Sequence, residues 1–254
     1  MKGGGKCSYC SQHFSQTVIT EHLKSCDIRK ENSPYLKRDQ YSFLIRISDV
    51  YTTNYWVFVE VDGRTCLLKN IDYFLRKLWL ECCGHLSSFR INNQVYDSDH
   101  DPSDYDVGSK NMQVRVDKIL NVGTIFEYTY DFGTSTELVL EVIDARVLDR
   151  EDDVEGSRTN GQIRAKRRSG SKSKGRIIPR VKLVARNDPL PFTCHACKKV
   201  TATNICTICL DEQSRKGASF CKACAGNHEC GEDMTLPIVN SPRSGQCGYT
   251  GIAY

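Results

Sequence analysis

Hydrophobic residues recurring at every second position mark several stretches of the chain as strands. Tyr41, Phe43, Ile45 and Ile47 alternate with Ser42, Arg46 and Ser48, which predicts a half-buried strand. Residues 55–61 read as a second strand, closed by a turn at Asp62-Gly63. The period then changes. Leu67, Leu68, Ile71, Leu75, Leu78, Trp79 and Cys82 recur at helical spacing, with Thr65 as the expected N-cap and Gly84 as the stop. Further on, Phe126, Tyr128, Tyr130 and Phe132 alternate with Glu127, Thr129 and Asp131. A turn at residues 131–134 and a partner strand at residues 138–143 complete a hairpin. Strands before and after one long helix predict an α+β fold, an antiparallel sheet with one main helix packed on one face.

Outside this block the apolar pattern fades and cysteine takes over. The 254-residue chain has 14 cysteines, and most stand in spaced pairs at its two ends. Cys194-x2-Cys197, Cys206-x2-Cys209 and Cys221-x2-Cys224 are followed by His228 and Cys230, eight candidate ligands within 37 residues. A Cys-x2-Cys pair lets two thiolates reach one ion, and two tetrahedral zinc ions need eight such ligands. A segment so short buries too little apolar surface to hold itself together. Metal must supply the folding free energy, roughly 10–16 kcal/mol per structural site. At the other end, Cys7-x2-Cys10-x11-His22-x3-Cys26 has the spacing of a Cys-Cys-His-Cys finger, a knuckle followed by a short helix. His22 and Cys26 sit one helical turn apart, and Val18, Ile19 and Leu23 supply an apolar face. His13 is the alternative ligand there, with an exposed polar role preferred. The sequence therefore divides into a finger at 1–27, an α+β domain at 38–150, a basic linker at 151–186 and a binuclear zinc module at 187–254. About three Zn2+ per chain are expected.

In the tail, the spacing resembles cross-brace modules. That arrangement gives one ion Cys194, Cys197, Cys221 and Cys224, and the other Cys206, Cys209, His228 and Cys230. Sequential pairing is the rival, and His195 or Cys247 could replace a ligand. Both ends offer complete sets of four ligands, without the Glu of a His-Glu-x-x-His site, which favours structural over catalytic metal.

Charge adds one feature. The formal charge is +4, yet between Arg158 and Arg186 stand 11 Lys or Arg and no Asp or Glu, so the remainder carries −7. Such a run attracts phosphates through counterion release, and Arg164, Lys166, Arg167, Arg168, Lys172, Lys174 and Arg176 are the nucleic-acid candidates. It lacks interleaved aromatics, so base stacking has no platform there. Its Ser, Gly, Lys and Arg content predicts a flexible tether, while residues 177–184 are apolar enough to pair with another element. The first ten residues carry no apolar stretch, and no apolar run is long enough to span a membrane. A cytoplasmic, reducing location is expected, which makes paired cysteines metal ligands rather than disulfides.

The central block, residues 41–142, resembles the plasmid pRiA4b ORF-3-like family. The likeness rests on the opening strand, on the run from Phe74 through Trp79, Cys82, Cys83 and His85 to Leu86, and on Tyr128-Thr129-Tyr130-Asp131-Phe132-Gly133. The resemblance implies an α+β domain found in bacteria, archaea and mobile elements, and no defined activity. Where that family continues Asp-Ser-Trp-Glu-His, this chain has Thr134-Ser135-Thr136-Glu137-Leu138, so no role of those residues carries over.

Two other constellations suggest chemistry and are given plainer readings. Cys82-Cys83-Gly84-His85 could pair a thiolate with an imidazole, but Cys82 falls on the apolar helical stripe, and neighbouring cysteines on a helix point about 100° apart. Buried free thiols are expected for Cys66, Cys82, Cys83 and Cys247. Asp97, Asp99, Asp101, Asp104 and Asp106 fail the EF-hand pattern, since Pro102 and Gly108 occupy its Gly and Glu positions. The expected function is a non-enzymatic adaptor for nucleic acid or a nucleic-acid-bound partner. The alternatives are a protein scaffold acting through the C-terminal zinc module, or a metal-dependent hydrolase or nuclease using the acidic loop with Asp131 or Glu137.

Overall fold

A computed structural model describes residues 3–33, 41–99, 108–147, 180–212 and 215–251. Its centre is a large, mostly antiparallel sheet with few helices. In chain order its strands are β1 (Gly4–Cys7), β2 (His13–Ser15), β3 (Tyr41–Asp49), β4 (Trp56–Asp62), β5 (Ser87–Ile91), β6 (Gln94–Asp97), β7 (Ser109–Asn111), β8 (Ile125–Tyr130), β9 (Thr136–Val147) and β10 (Val181–Asn187). Across the sheet the order is β2-β1-β10-β4-β3-β9-β8-β5-β6-β7, with only β6 and β7 parallel. The predicted hairpin is β8–β9, pairing Tyr130 with Thr136 through Ile125 with Glu141. Asp131 turns it at φ 64°, and its carboxylate accepts the amides of Gly133 and Thr134.

The strand at Tyr41 departs from the half-buried expectation: one face is covered from Phe43 to Asp49, and the other is covered at Ser42 and Leu44, with Arg46 left exposed. Phe43, Ile45 and Ile47 face a core built with Val57, Val59, Val61 and the helix that begins at Leu68. Leu44 faces the opposite way, into a second core with Trp56, Phe58, Val184, Ile19 and Leu23. The second layer is the N-terminal finger, with helices α1 (Gln16–Ser25) and α2 (Asp27–Asn32). Its strands β1 and β2 extend the sheet itself, because β1 pairs with β10. The finger is therefore continuous with the central domain rather than a separate flanking body. The physical reason is β10: the apolar stretch near residue 180 enters the sheet between β1 and β4.

Helix α3 (Leu68–Leu75) continues as a π-helical turn (Arg76–Leu80), and the chain leaves it at Glu81, whose backbone is extended. Thr65 does not cap the helix. Its hydroxyl donates to Asp62, and the Leu67 amide is capped by the Asn70 side chain. Cys82 consequently lies beyond the helix, and Gly84 bends the following turn at φ 75°. The helical stripe inferred to include Cys82 ends with Trp79 and Leu80.

After β10 the chain forms a second, three-stranded sheet of β11 (Asn204–Cys206), β12 (Ser219–Phe220) and β13 (Thr235–Pro237), with short helices α4 (Thr207–Glu212), α5 (Arg215–Ala218) and α6 (Lys222–Ala225). Ile205, Ala218, Phe220 and Ala225 form its core together with the buried cysteines Cys194, Cys206 and Cys209. Among the described residues no helix is long and apolar enough to cross a membrane.

Candidate metal centres

Four groups of cysteine and histidine bring their ligand atoms within 4.8 Å of one another, and each could hold a metal ion. Three are the sets expected from spacing: Cys7, Cys10, His22, Cys26; Cys194, Cys197, Cys221, Cys224; and Cys206, Cys209, His228, Cys230. The tail sets interleave along the chain, as in a cross-brace, and not as in the sequential rival.

The first Cys-x2-Cys pair of each end is built on the same backbone device. After Cys10, Ser11 takes φ 63°; after Cys197, Lys198 takes φ 56°. The left-handed residue folds the chain back, so the Ser11 amide donates to the Cys7 carbonyl and the Lys198 amide to the Cys194 carbonyl. A left-handed residue other than Gly costs roughly 1–2 kcal/mol, and an ion gripping the loop would offset it. The other tail pairs use helix starts instead. Cys206 closes β11 and Cys209 lies in α4, while Cys221 precedes α6 and Cys224 lies within it.

An aromatic ring orients the imidazole in the two Cys3His sets expected from spacing. Phe14 stacks on His22 at 3.9 Å between ring centres, and Phe220 lies against His228 at 4.2 Å. His22 Nε2 stands 3.3 Å from Cys10 Sγ, and His228 Nε2 3.1 Å from Cys209 Sγ. Burial lowers the pKa of His22, which favours the neutral imidazole that a metal requires.

The thiols of the tail sets influence one another's charge. Burial opposes ionisation of Cys194, yet the amides of Cys197, Cys221 and Ala196 outweigh it and bring that thiol down to about 6. Its neighbours then resist a second negative charge. Hydrogen bonding with Cys221 and Cys194 pushes Cys224 up to about 12, and burial with Cys206 and Cys230 pushes Cys209 to about 12. A divalent ion would relieve that repulsion. Thiolate-rich sets of four ligands fit zinc.

The alternative ligands go elsewhere. His13 pairs with Asp188 at 2.5 Å, and His195 Nδ1 faces Lys198 Nζ at 3.2 Å. Cys247 joins the fourth group, with Cys82, Cys83 and His85, none of which the spacing rules had assigned to a metal. Cys83 Sγ lies 3.0 Å from His85 Nε2 and 3.3 Å from Cys247 Sγ. The objection that adjacent cysteines diverge on a helix lapses, because this stretch is not helical. Cys66 is the buried thiol expected of it, pushed up to about 12 by burial.

The carboxylates considered for hydrolysis are engaged. Asp131 accepts from buried Arg243 at 2.5 Å, and Glu137 accepts from the Tyr51 hydroxyl at 2.8 Å. Burial works against ionisation of Asp131, but Arg243 and the turn amides hold its carboxyl below the usual range. Asp101, Asp104 and Asp106 lie outside the described residues, as do the nucleic-acid candidates from Arg164 to Arg176. The basic residues nearest them are tied into the fold. Arg180 donates to Asn70, Lys182 sits 3.6 Å above the Tyr9 ring, and Arg186 donates to the Asn240 carbonyl.

No family model matches the chain, and no curated protein matches it. Among solved structures, a protein of unknown function from Methanosarcina mazei Go1 is similar at 15% identity and a TM-score of 0.36. That likeness spans 46% of this chain and 66% of the other, just under two thirds of its length.

Proposed function

We propose that this chain is a zinc-stabilised, non-enzymatic adaptor for nucleic acid or for a partner bound to nucleic acid. The observation that carries the reading is how the basic segment is anchored. It leaves the sheet at Val147, paired with Tyr41, and the chain returns at Val181, paired with Val61. Tyr41 and Val61 belong to adjoining strands at the same end of the sheet, with Phe43 opposite Val61. Both attachment points therefore lie at one end of the sheet, three strands apart, about 14 Å across it at roughly 4.8 Å per strand. A run of positive charge whose flanking residues belong to one sheet is a suitable electrostatic footprint for a polyanion.

Two features support the non-enzymatic part. Each thiolate-rich set offers four protein ligands, which leaves no position for a reactive water. Asp131 and Glu137 are already satisfied by Arg243 and Tyr51. The resemblance to the pRiA4b ORF-3-like family supports a link to mobile elements and a bacterial or archaeal setting.

The test is filter binding of duplex DNA and of RNA across a salt series, with Lys166, Arg167 and Arg168 replaced by Gln. Losing three phosphate contacts on duplex DNA should flatten the slope of log K against log salt by about 2–3. An unchanged slope and affinity would remove the nucleic-acid reading. Val200, Ile208 and Met234 stand exposed on the C-terminal module and favour a protein scaffold as the second reading. Under it, partner recovery survives nuclease treatment and is lost in Cys206→Ser.

A further inference from the structure

We infer that Cys82, Cys83, His85 and Cys247 hold a fourth divalent metal ion, zinc by the character of its ligands, which clasps the C-terminal module to the central domain. Three of the ligands come from the turn between the end of helix α3 and strand β5, and the fourth from a loop more than 160 residues later. Among the described residues, this set alone draws its ligands from both bodies. The inference is independent of what the protein binds.

Geometry carries it. Besides the two distances from Cys83 already given, Cys82 Sγ lies 3.5 Å from Cys83 Sγ, and His85 Nε2 lies 3.2 Å from Cys247 Sγ. A tetrahedral zinc with Zn–S of about 2.3 Å and Zn–N of about 2.0 Å sets its ligands about 3.5–3.8 Å apart. The cluster would open by only a few tenths of an ångström to admit the ion. A disulfide needs sulfurs at about 2.05 Å, far closer than any pair here. The spacing matches the other sets, where Cys209 Sγ and Cys230 Sγ stand 3.8 Å apart.

Both backbones are shaped to present these side chains. Gly84 turns at φ 75°, and its amide donates to the Glu81 carboxylate at 2.5 Å. Cys247 itself takes φ 46°, between Gly245 at 87° and Gly248 at 67°. A left-handed cysteine is unfavourable and persists where the surroundings fix it. The loop that carries it is pinned on the central domain independently. Ser241 donates to the Trp79 carbonyl at 2.7 Å, and Gln246 accepts from Thr136 at 3.1 Å.

The neighbours suit a thiolate-rich ion. Three thiolates, one neutral imidazole and Zn2+ leave one negative charge. Arg243 is fully buried, and its guanidinium reaches Cys82 Sγ at 3.5 Å as well as Asp131. Its positive charge, shared with the Asp131 carboxylate, lies beside the thiolates and fixes Cys82 from outside the coordination sphere. Tyr130 meets the His85 ring edge-on at 5.8 Å and limits its rotation. Cys83 and Cys247 are exposed, unlike Cys7, Cys194 and Cys206, so this ion is the most accessible to competing ligands.

The test is metal content of the purified full chain by mass spectrometry, beside Cys247→Ser and Cys83→Ser, with circular dichroism to check folding. The expected result is four zinc ions in the wild type and three in each variant. A limiting chelator should remove one ion first from the wild type and find no such early fraction in the variants. Hydrogen exchange at residues 243–249 should rise in both variants while the other sets keep their metal. A wild-type count of three, unchanged in the variants, overturns the inference. If Cys247→Ser loses more than one ion because its loop unfolds, Cys83→Ser decides from the other side. Loss of one ion there supports the clasp, and loss of none overturns it.

Discussion

The two metal-bearing ends use the same ligand chemistry but are held in place by different forces. The N-terminal finger borrows its core. Ile19 and Leu23 are fully buried, and what they bury against is Leu44, Trp56 and Phe58 of the central sheet. Burying two such side chains contributes about 3–6 kcal/mol in all, before any ion is counted. The C-terminal module has its own small sheet, but half of the buried and partly buried residues of its hydrophobic cluster are prospective ligands. It touches the body mainly through polar contacts. Arg243, Ser241 and Asn240 reach Asp131, Trp79 and Asn187. Apolar area can stand in for metal at one end and cannot at the other.

Metal removal gives the largest expected effect. Stripping the ions with a strong chelator should unfold the C-terminal module, since each structural site supplies roughly 10–16 kcal/mol. Strands β11–β13 should then exchange their amides at the rate of an unfolded chain. Helix α1 should keep partial protection, because its apolar face stays on the sheet. Equal loss of protection at both ends would break the contrast. Acid should act in the same direction, because thiolate and neutral imidazole ligands must take up protons before the metal leaves.

Much of this was legible in the sequence, and the limits have physical causes. Spacing alone named twelve ligands because a Cys-x2-Cys pair is a local device, readable without the fold, whereas the pairing of the tail ligands stayed open between cross-brace and sequential. The period-2 runs located β3 and the β8–β9 hairpin for the same reason. Coverage of both sheet faces was not legible. Leu44 sits between Phe43 and Ile45 and breaks the strict alternation, and that break was the available signal that β3 is buried on two sides. Nothing in the local pattern marks Arg29 and Glu60 as buried, and only tertiary contact makes them a pair. The fourth cluster escaped because Cys247 is far along the chain from Cys83. Three leftover thiols beside a Cys-x-His step were its trace. The helix period also misled, since Trp79 and Cys82 are three apart, yet the helix ends between them.

A smaller effect probes how the finger is welded to the sheet. Arg29 is fully buried in α2 and donates to the Glu60 carboxylate at 2.9 Å and to the Leu23 carbonyl at 2.7 Å. Glu60 also accepts from the Tyr9 hydroxyl at 2.6 Å, and burial together with that carboxylate raises the Tyr9 pKa. Arg29→Met should cost about 3–5 kcal/mol, because it leaves a buried carboxylate without its cation. Adding Glu60→Leu should recover most of the loss. Thermal unfolding of both variants reads this directly. A single variant within 1 kcal/mol of wild type would mean that the apolar contacts alone hold the finger.

The smallest expected effect concerns the finger's own surface. On α1, Lys24 donates to Glu21 at 2.9 Å, and both side chains are largely in water. Such a pair one turn apart is worth about 0.2–0.5 kcal/mol, and salt screens it. Glu21→Gln should therefore shift the unfolding midpoint by no more than a degree or so for a domain of this size, with the shift vanishing in high salt. The value lies in the contrast with Arg29. Both are charged residues of one small finger, separated by a few positions, and they should differ several-fold in effect. If Glu21→Gln proved as costly as Arg29→Met, helix α1 would be supporting itself, and the finger would be as autonomous as the C-terminal module. A near-silent Glu21→Gln places the stability of this end in the buried seam between α1, α2 and β4.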